Sequence, residues 1–224
     1  MTAKIITVCN QKGGPGKTTL TMQLAGTLAR RGFKVLVVDA DPQGSATRWA
    51  ASADEEPFPA PVVGLSAANT KVHREVQKLV NDYDFILIDC PPAVNSPIPQ
   101  SALLIADVSL TPIIPSPLDL WAAIGIRQVI ENAQHINESL QPRLVLNQHQ
   151  PNTTLAKEAL EILPDFRIEL CKNSLGDRQV YRQSPTFGST VHHFGNSARD
   201  AIDELEALTD EVLALLNPTP EGKS

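Results

Sequence analysis

The sequence predicts an α/β fold, a single domain with a mostly parallel, twisted sheet and helices on both faces. Short runs of almost entirely apolar residues, such as residues 34–39 and 85–89, are typical of strands that are buried on both sides. Segments with the apolar spacing of helices separate these runs. Alternation of this kind builds a parallel sheet through right-handed crossovers. A chain of 224 residues is long enough for one sizeable core.

The predicted elements alternate along the whole chain. Strands are expected at residues 5–9, 34–39, 62–65, 85–89, 108–114, 143–147 and 166–170. Helices are expected at residues 20–30, 43–51, 71–81, 98–105, 117–137, 154–163 and 197–216. Prolines make residues 54–61 a surface connection. We therefore expect one domain over residues 1–216 and a flexible tail over residues 217–224.

Composition indicates a globular protein, because 42% of the residues are hydrophobic and 20% are charged. No apolar run approaches the roughly 20 residues that a membrane helix needs. The first strand follows the start directly, which leaves no room for a signal peptide, so we expect a cytoplasmic protein. Three widely spaced cysteines, an odd number, do not suggest a disulfide framework.

A glycine-rich turn between the first strand and the first helix has the form of a P-loop, a phosphate-binding loop. Such a turn exposes backbone N–H groups at the positive end of a helix dipole, which suits a phosphate chain. Lys17 would contact the terminal phosphates, and the Thr18 hydroxyl would bind Mg²⁺. The candidate nucleotide-binding residues are Gly13, Gly14, Pro15, Gly16, Lys17, Thr18 and Thr19.

The loop departs from the general P-loop pattern, which has a glycine where this chain has Gln11. A second lysine, Lys12, follows it. Lys12 is poorly placed to reach phosphates in its own loop, because Lys17 already fills that role. It could reach phosphates bound by another subunit. Pro15 suits a tight loop through its fixed φ, but it restricts Gly14 before it.

Carboxylates follow two of the predicted buried strands. Asp39 and Asp41 end one strand, and Asp89 ends another, in the manner of a Walker B aspartate. The carboxyl ends of parallel strands are where open α/β sheets bind ligands. A solvated aspartate at a strand end is the plain alternative, but the preceding P-loop favours a magnesium site.

Three motifs together resemble a known family. Residues 12–19, 37–44 and 86–92, in this order and spacing, closely resemble the deviant-Walker ATPases of the ParA/MinD family. The nearer resemblance is to ParA partition ATPases, because Asn10 and Gln11 before the loop and residues 41–44 are typical of that branch. The resemblance covers nearly the whole chain and implies a P-loop ATPase that uses ATP and Mg²⁺.

The resemblance also implies catalytic roles. Lys12 is similar to the signature lysine that crosses a dimer interface to the partner's ATP, so hydrolysis would require an ATP-dependent homodimer. Asp41 is similar to the residue that orients the attacking water. Thr18 would bind Mg²⁺ directly, and Asp39 and Asp89 would support it through water.

Two further residues resemble groups that contact the nucleotide base. Asn147, at a predicted strand end, is similar to an asparagine that reads adenine in relatives. Pro185 begins residues 185–188, which resemble a loop that lies over the base.

Basic residues late in the chain lie where compact ParA proteins present a patch to DNA. Neutralising phosphates is enough for such non-specific binding. The alternative is a solvated face with ordinary ion pairs to Asp177 and Glu169. The closing helix has an acidic polar face, unlike a membrane-targeting helix, so we expect it to pack on the core without binding membranes. The candidate DNA-binding residues are Lys172, Arg178, Arg182 and Arg199.

The resemblance implies an ATP-dependent dimeric switch that hydrolyses ATP and associates with the nucleoid in its ATP state. It would partition plasmid or chromosome DNA together with a ParB-like centromere-binding protein. One alternative keeps the ATPase but gives it a protein cargo, such as a chemoreceptor cluster or organelle. A remote alternative is an iron–sulfur reductase that uses Cys9 and Cys90, although cysteines at buried strand ends usually serve as small apolar residues. Trp49 and Trp121 are expected to pack on helix faces.

Overall fold

Parallel strands form one sheet in the computed structural model of the chain, which describes residues 2–54, 56–150, 161, 163 and 167–217. Every strand pair within the described residues is parallel. The described strands lie in the order β3-β2-β4-β1-β5-β6-β7. They are β1 (Lys4–Val8), β2 (Val35–Asp39), β3 (Val62–Gly64), β4 (Phe85–Asp89), β5 (Val108–Ile113), β6 (Gln141–Leu146) and β7 (Glu169–Leu170).

Helices connect the strands and follow the last of them. Those in the described ranges are α1 (Lys17–Arg30), α2 (Ser45–Ala51), α3 (Val72–Gln77), α4 (Ile98–Leu103), α5 (Pro117–Gln134), α6 (Gln179–Gln183) and α7 (Arg199–Leu216). Short 3₁₀ helices lie at Ser66–Lys71, Ala93–Asn95, Ser184–Phe187 and Val191–Ala198. No helix in the described ranges has both the length and the apolar character to cross a membrane.

The sheet has a hydrophobic core on each face. Leu87 of β4 packs with α1, α2 and α7 on one face. Its neighbour Ile88 packs with α3, α4 and α5 on the other. Successive side chains of a strand point to opposite faces, so a strand that is buried on both must be apolar throughout. The predicted α/β fold with helices on both faces is confirmed.

The element ends differ from the prediction in several places. The helix predicted over residues 71–81 ends at Gln77, and the closing helix begins at Arg199 because Gly195, with a φ of 54°, kinks the preceding turn. Trp49 is buried as expected, but Trp121 is 60% exposed, so its predicted packing is wrong. The closing helix does pack on the core, through Leu205 and its apolar neighbours. Apart from Glu161 and Leu163, the helix predicted over residues 154–163 lies outside the described residues, as does the tail after Asn217.

The strand register brings the candidate carboxylates together. Asp39 of β2 pairs with Asp89 of β4, and Asp89 also pairs with Val8 of β1. The three strands therefore end at one edge of the sheet, where the loop between β1 and α1 begins. Residues about 50 and 80 positions apart in the sequence meet there because the parallel register aligns the strand ends.

Candidate active site

The loop between β1 and α1 opens at the start of a helix that has no side-chain cap. Gly14 and Gly16 have φ values of 100° and 91°, a left-handed conformation that favours glycine. Gly16 directly precedes α1, and no side chain caps the first turn of that helix. The first backbone N–H groups of a helix lack partners within it. This geometry suits the binding of a phosphate chain.

Asn147, which follows β6, supports the loop through a side-chain hydrogen bond. Its Nδ2 donates a hydrogen bond of 2.7 Å to the carbonyl oxygen of Pro15. A Cβ atom added at Gly16 would lie 2.2 Å from the same Nδ2, so no larger residue fits there without movement. Gln148 adds a longer bond, 3.4 Å, from Nε2 to the carbonyl of Gly14. The structure thus places Asn147 against the loop, while its role in reading adenine remains a prediction.

The two lysines of the loop lie in different environments. Lys17 is buried, and its ammonium donates a 2.9 Å hydrogen bond to the carbonyl oxygen of Lys12. Burial lowers the pKa of Lys17, and the charges of Asp89 and Asp41 oppose that change. Lys12 is exposed, and its ammonium has no partner among the residues that the structure describes. Only Lys17 is therefore directed into its own loop.

Asp89 lies beneath the loop in contact with Thr18. The Thr18 hydroxyl donates a 2.6 Å hydrogen bond to Asp89 Oδ2, while the buried Oδ1 has no hydrogen-bond partner in the described residues. Burial raises the pKa of Asp89 to about 7, and the neighbouring charge of Asp39 adds to this. A hydroxyl and a carboxylate oxygen without a partner are ligands that Mg²⁺ prefers. The residues present therefore fit a magnesium ion.

The two acids at the C-terminal end of β2, Asp39 and Asp41, have different partners. Asp39 Oδ2 accepts hydrogen bonds of 2.8 Å from both the backbone N–H and the hydroxyl of Thr47. Asp41 is half-buried, and its Oδ1 accepts a 2.9 Å bond from the N–H of Gln43 in the turn before α2. Asp39 is thus fixed by α2, whereas Asp41 belongs to a turn at the rim of the site.

A cavity of about 100 Å³ adjoins the loop on the side of Thr19 and Asn147. The sequence reasoning missed Gly176 in its wall, and no local motif marked that residue. Two arginines predicted for a DNA patch, Arg178 and Arg182, also line this cavity. The lining residues are Thr19, Asn147, Gln148, Gly176, Asp177, Arg178, Tyr181 and Arg182.

Three of the four candidate DNA-binding residues form ion pairs with acidic side chains. Arg178 lies 2.7 Å from Glu204 and 3.1 Å from Asp200, and Arg182 lies 2.5 Å from Asp177. Arg199 has a looser pair, 3.9 Å from Asp203. Its side chain is 81% exposed.

Lys172 is exposed, and the hydrogen bond described for it is made by its backbone N–H to Glu211. Among the described residues, the side chains of Lys172 and Arg199 are therefore the least tightly paired with acids of the four candidates.

Pro185 lies in the turn Ser184–Phe187, and its predicted place over the nucleotide base stays a prediction. The turn Ser184–Phe187 packs against the end of α2, and a Cβ added at Gly188 would lie 2.1 Å from the backbone nitrogen of Ala53. Phe187 lines a different cavity together with Arg30, the last residue of α1. The 14 residues of α1 span about 20 Å, so this cavity lies at the opposite end of the helix from the loop.

The cysteines give no support to a metal cluster. Cys9 and Cys90 are fully buried, and burial raises the pKa of the Cys9 thiol to about 12. A thiol that stays protonated is a poor ligand, because iron–sulfur clusters bind thiolates. Within the described ranges, no three His, Cys, Asp or Glu side chains are grouped to hold a metal ion.

The chain is similar in sequence to known nucleotide-binding proteins. The family model described as "CobQ/CobB/MinD/ParA nucleotide binding domain" matches residues 6–191. A "Maintenance of carboxysome distribution protein A" from Halothiobacillus neapolitanus is 33% identical over 208 residues, 93% of this chain and 95% of that protein. Its namesake from Gloeobacter kilaueensis is 38% identical over 213 residues, with 93% and 94% covered. The "Chromosome-partitioning ATPase Soj" of Thermus thermophilus is 26% identical over 241 residues, with 93% and 95% covered.

Solved structures share the fold at lower identity. Apo McdA from Cyanothece superposes with a TM-score of 0.78 at 17% identity, covering 94% of this chain and 99% of that one. The septum site-determining protein MinD of Pyrococcus horikoshii, in complex with Mg-ADP, gives a TM-score of 0.76 at 21% identity, with 96% and 98% covered.

Proposed function

The chain belongs to the CobQ/CobB/MinD/ParA family of nucleotide-binding domains, and from this premise we propose that it is a magnesium-dependent ATPase that acts as a dimeric switch. The observation that carries the proposal is the contact of Thr18 with Asp89, whose second carboxylate oxygen is buried without a partner in the described residues. This arrangement lies at the uncapped start of α1, beside the ammonium of Lys17.

The residues of the loop would bind the triphosphate of ATP. Backbone N–H groups around Gly14 and Gly16 would contact phosphate oxygens, and Lys17 would exchange the carbonyl of Lys12 for a terminal phosphate. Thr18, Asp39 and Asp89 would hold Mg²⁺. The ion would neutralise the charge that develops on the phosphates.

Hydrolysis would require two subunits. Asp41 would orient the attacking water from the rim of the site. Lys12, exposed and without an ion-pair partner in the described residues, would reach the phosphates bound by the partner subunit. A cation supplied in this way stabilises the transition state as an arginine finger does. ATP would thus favour the dimer, and hydrolysis would reset it.

The comparisons favour a protein assembly as the cargo. The two relatives named for carboxysome distribution are 33% and 38% identical to this chain, against 26% for the chromosome-partitioning Soj. We therefore place positioning of a protein assembly ahead of DNA partition. The similarity to Soj keeps plasmid or chromosome partition with a ParB-like protein as the second candidate.

Non-specific DNA is the proposed surface along which the ATP-bound dimer acts. Lys172 and Arg199 are its best-placed contacts, because both are exposed and neither side chain has a close carboxylate partner among the described residues. Arg178 and Arg182 would first have to leave carboxylate partners. Binding through phosphates alone would weaken steeply as salt rises.

The test is DNA binding and ATP turnover of the wild type with ATP, with ADP and without nucleotide. We expect DNA binding only with ATP and Mg²⁺, and none for Lys17→Ala. The double variant Lys172→Ala/Arg199→Ala should bind DNA more weakly. The control Lys71→Ala/Lys78→Ala removes the same charge at the two ends of α3, on the other face of the sheet from α7, and should bind DNA as the wild type does. Equal DNA binding in all nucleotide states would contradict the switch.

A deletion of the gene in its host separates the two cargo classes. Loss of the protein should misplace a protein assembly and leave plasmid and chromosome inheritance unchanged. Raised plasmid loss with normal assembly positions would favour the partition function instead.

A further inference from the structure

Residues 176–178, at the end of a segment over residues 172–178, line the cavity beside the loop. Gly176 and Arg178 face the same space as Thr19 and Asn147. A separate cavity on the other side of the loop is lined by Lys12 and Gly13. If the triphosphate lies along the loop, the cavity beside Thr19 is where the nucleoside of ATP would be.

Glu211 of α7 holds the beginning of this segment. Its Oε1 accepts a 2.8 Å hydrogen bond from the N–H of Lys172. Its Oε2 accepts bonds of 3.0 Å and 2.8 Å from the backbone and side-chain nitrogens of Asn173. Bonds to an ionised acceptor are about twice as strong as neutral ones, so this end is firmly fixed.

Glu204 of α7 holds the other end. Its Oε2 accepts a 3.0 Å bond from the N–H of Gly176, and its Oε1 accepts a 2.7 Å bond from Nη2 of Arg178. Arg178 also bonds to Asp200, one turn earlier on the helix. Glu204 and Glu211 are seven residues apart, so they lie on one face of α7.

The same segment is paired on its far side with the chain after β6. The backbone N–H of His149 donates a 3.0 Å bond to the carbonyl of Leu175, and the N–H of Asp177 donates a 3.1 Å bond to the carbonyl of His149. Asn147, which braces the loop, is two residues before His149. The segment is thus held between α7 and the residues that support the loop.

We propose that Glu204 and Glu211 are positioning residues that set the nucleoside side of the ATP site. Among the described residues neither has a hydrogen bond to the loop, and both act through the segment over residues 172–178. Their removal should loosen the wall around the nucleoside and leave the phosphate contacts intact. The inference rests on the proposed ATPase function and adds an element that the sequence motifs do not contain.

The experiment compares binding of Mg-ATP, Mg-GTP and magnesium tripolyphosphate, which carries the phosphates without a nucleoside, by calorimetry. For Glu204→Ala we expect ATP affinity to fall on the order of tenfold, since a hydrogen bond to a charged group is lost. Tripolyphosphate affinity should change less than about twofold, and the preference for ATP over GTP should shrink. Glu211→Ala should act in the same direction.

Two further variants separate positioning from stability. Glu204→Gln can still accept the bond from Gly176, so it should recover part of the ATP affinity even if Glu204→Ala folds poorly. Asp203→Ala, at an exposed neighbour on α7, should bind ATP like the wild type. Unchanged ATP affinity in both Glu204 variants, or equal losses for ATP and tripolyphosphate, would overturn the inference. A wild type that binds no ATP would overturn the proposed function as well.

Discussion

The ammonium of Lys17 donates its 2.9 Å hydrogen bond to the backbone carbonyl of Lys12, not to a side chain. The two lysines are therefore linked through a group that every residue at position 12 would supply. The Lys12 side chain can be removed without taking away the partner of Lys17. This separation allows the roles of the two lysines to be tested independently.

For Lys12→Ala we predict a fall in ATP turnover of about 10³-fold, because a cation delivered to a phosphoryl transition state contributes at least that much. ATP binding should persist, since Lys17 and the loop keep their contacts. Steady-state phosphate release and calorimetric ATP binding measure the two effects. Lys17→Ala is the matched control and should lose ATP binding itself. Full turnover by Lys12→Ala would refute a catalytic role for this lysine.

Mixing these two variants tests whether Lys12 acts across the dimer. A mixed dimer contains one intact site, in the Lys12→Ala subunit, and the Lys17→Ala subunit can supply its Lys12 to that site. We predict that the mixture recovers part of the turnover that each variant lacks alone. A mixture as inactive as its components would count against action in trans.

For Asp41→Ala we predict a stable ATP-bound dimer with turnover reduced by about 10²-fold or more, because the attacking water loses its orienting group. Light scattering with ATP and Mg²⁺ gives the mass, and phosphate release gives the turnover. Asp41→Asn keeps an oxygen that can accept the bond from Gln43, so it controls for loss of the turn. A monomer in the presence of Mg-ATP would disprove the assignment.

For Gly16→Ala we predict a loss of ATP affinity above about tenfold, because the new Cβ overlaps Asn147 Nδ2 at 2.2 Å and displaces the brace from Pro15. Gly44→Ala is the control: its φ of 63° is also left-handed, but the nearest atom to the new Cβ is 3.9 Å away. That variant should lose only about 1–2 kcal/mol of unfolding free energy and should bind ATP nearly as the wild type does. Calorimetric ATP binding compares the two variants, and equal losses of ATP affinity would show that backbone strain, not the overlap, dominates.

For Asp89→Asn we predict that, without metal or nucleotide, the variant becomes more stable than the wild type as pH rises. The pKa of Asp89 is about 7 in the folded chain, against 3.8 ordinarily. Between these values the folded chain holds one more proton than the unfolded chain, so the wild type loses unfolding free energy with rising pH.

The full loss, reached above about pH 7, is at most about 4 kcal/mol. Urea unfolding in EDTA at about pH 5 and about pH 8 measures the difference between the two proteins. A gap that does not widen between these pH values would contradict burial as the cause.

Much of the site could be predicted because its residues are tied to strand and helix ends. Asp39 ends β2 and Asp89 ends β4, so an apolar run followed by an acid identified both, and the glycine-rich turn before α1 identified Lys17. Parallel register then brings those ends together in any sheet with this order. The same reasoning did not predict that Arg178 pairs with Glu204, because Arg178 lies in a connection whose course depends on distant partners.

The sequence by itself determined the chemistry of the loop and the layered fold, because φ preferences, helix starts and buried strands are local properties of a few consecutive residues. Only the tertiary structure decided what surrounds that chemistry. It set Asn147 against Pro15, left Asp89 Oδ1 without a hydrogen-bond partner among the described residues, and turned Arg178 towards Glu204. These contacts join residues far apart in the sequence, and their geometry follows from how helices and loops pack on the sheet, which no local pattern encodes.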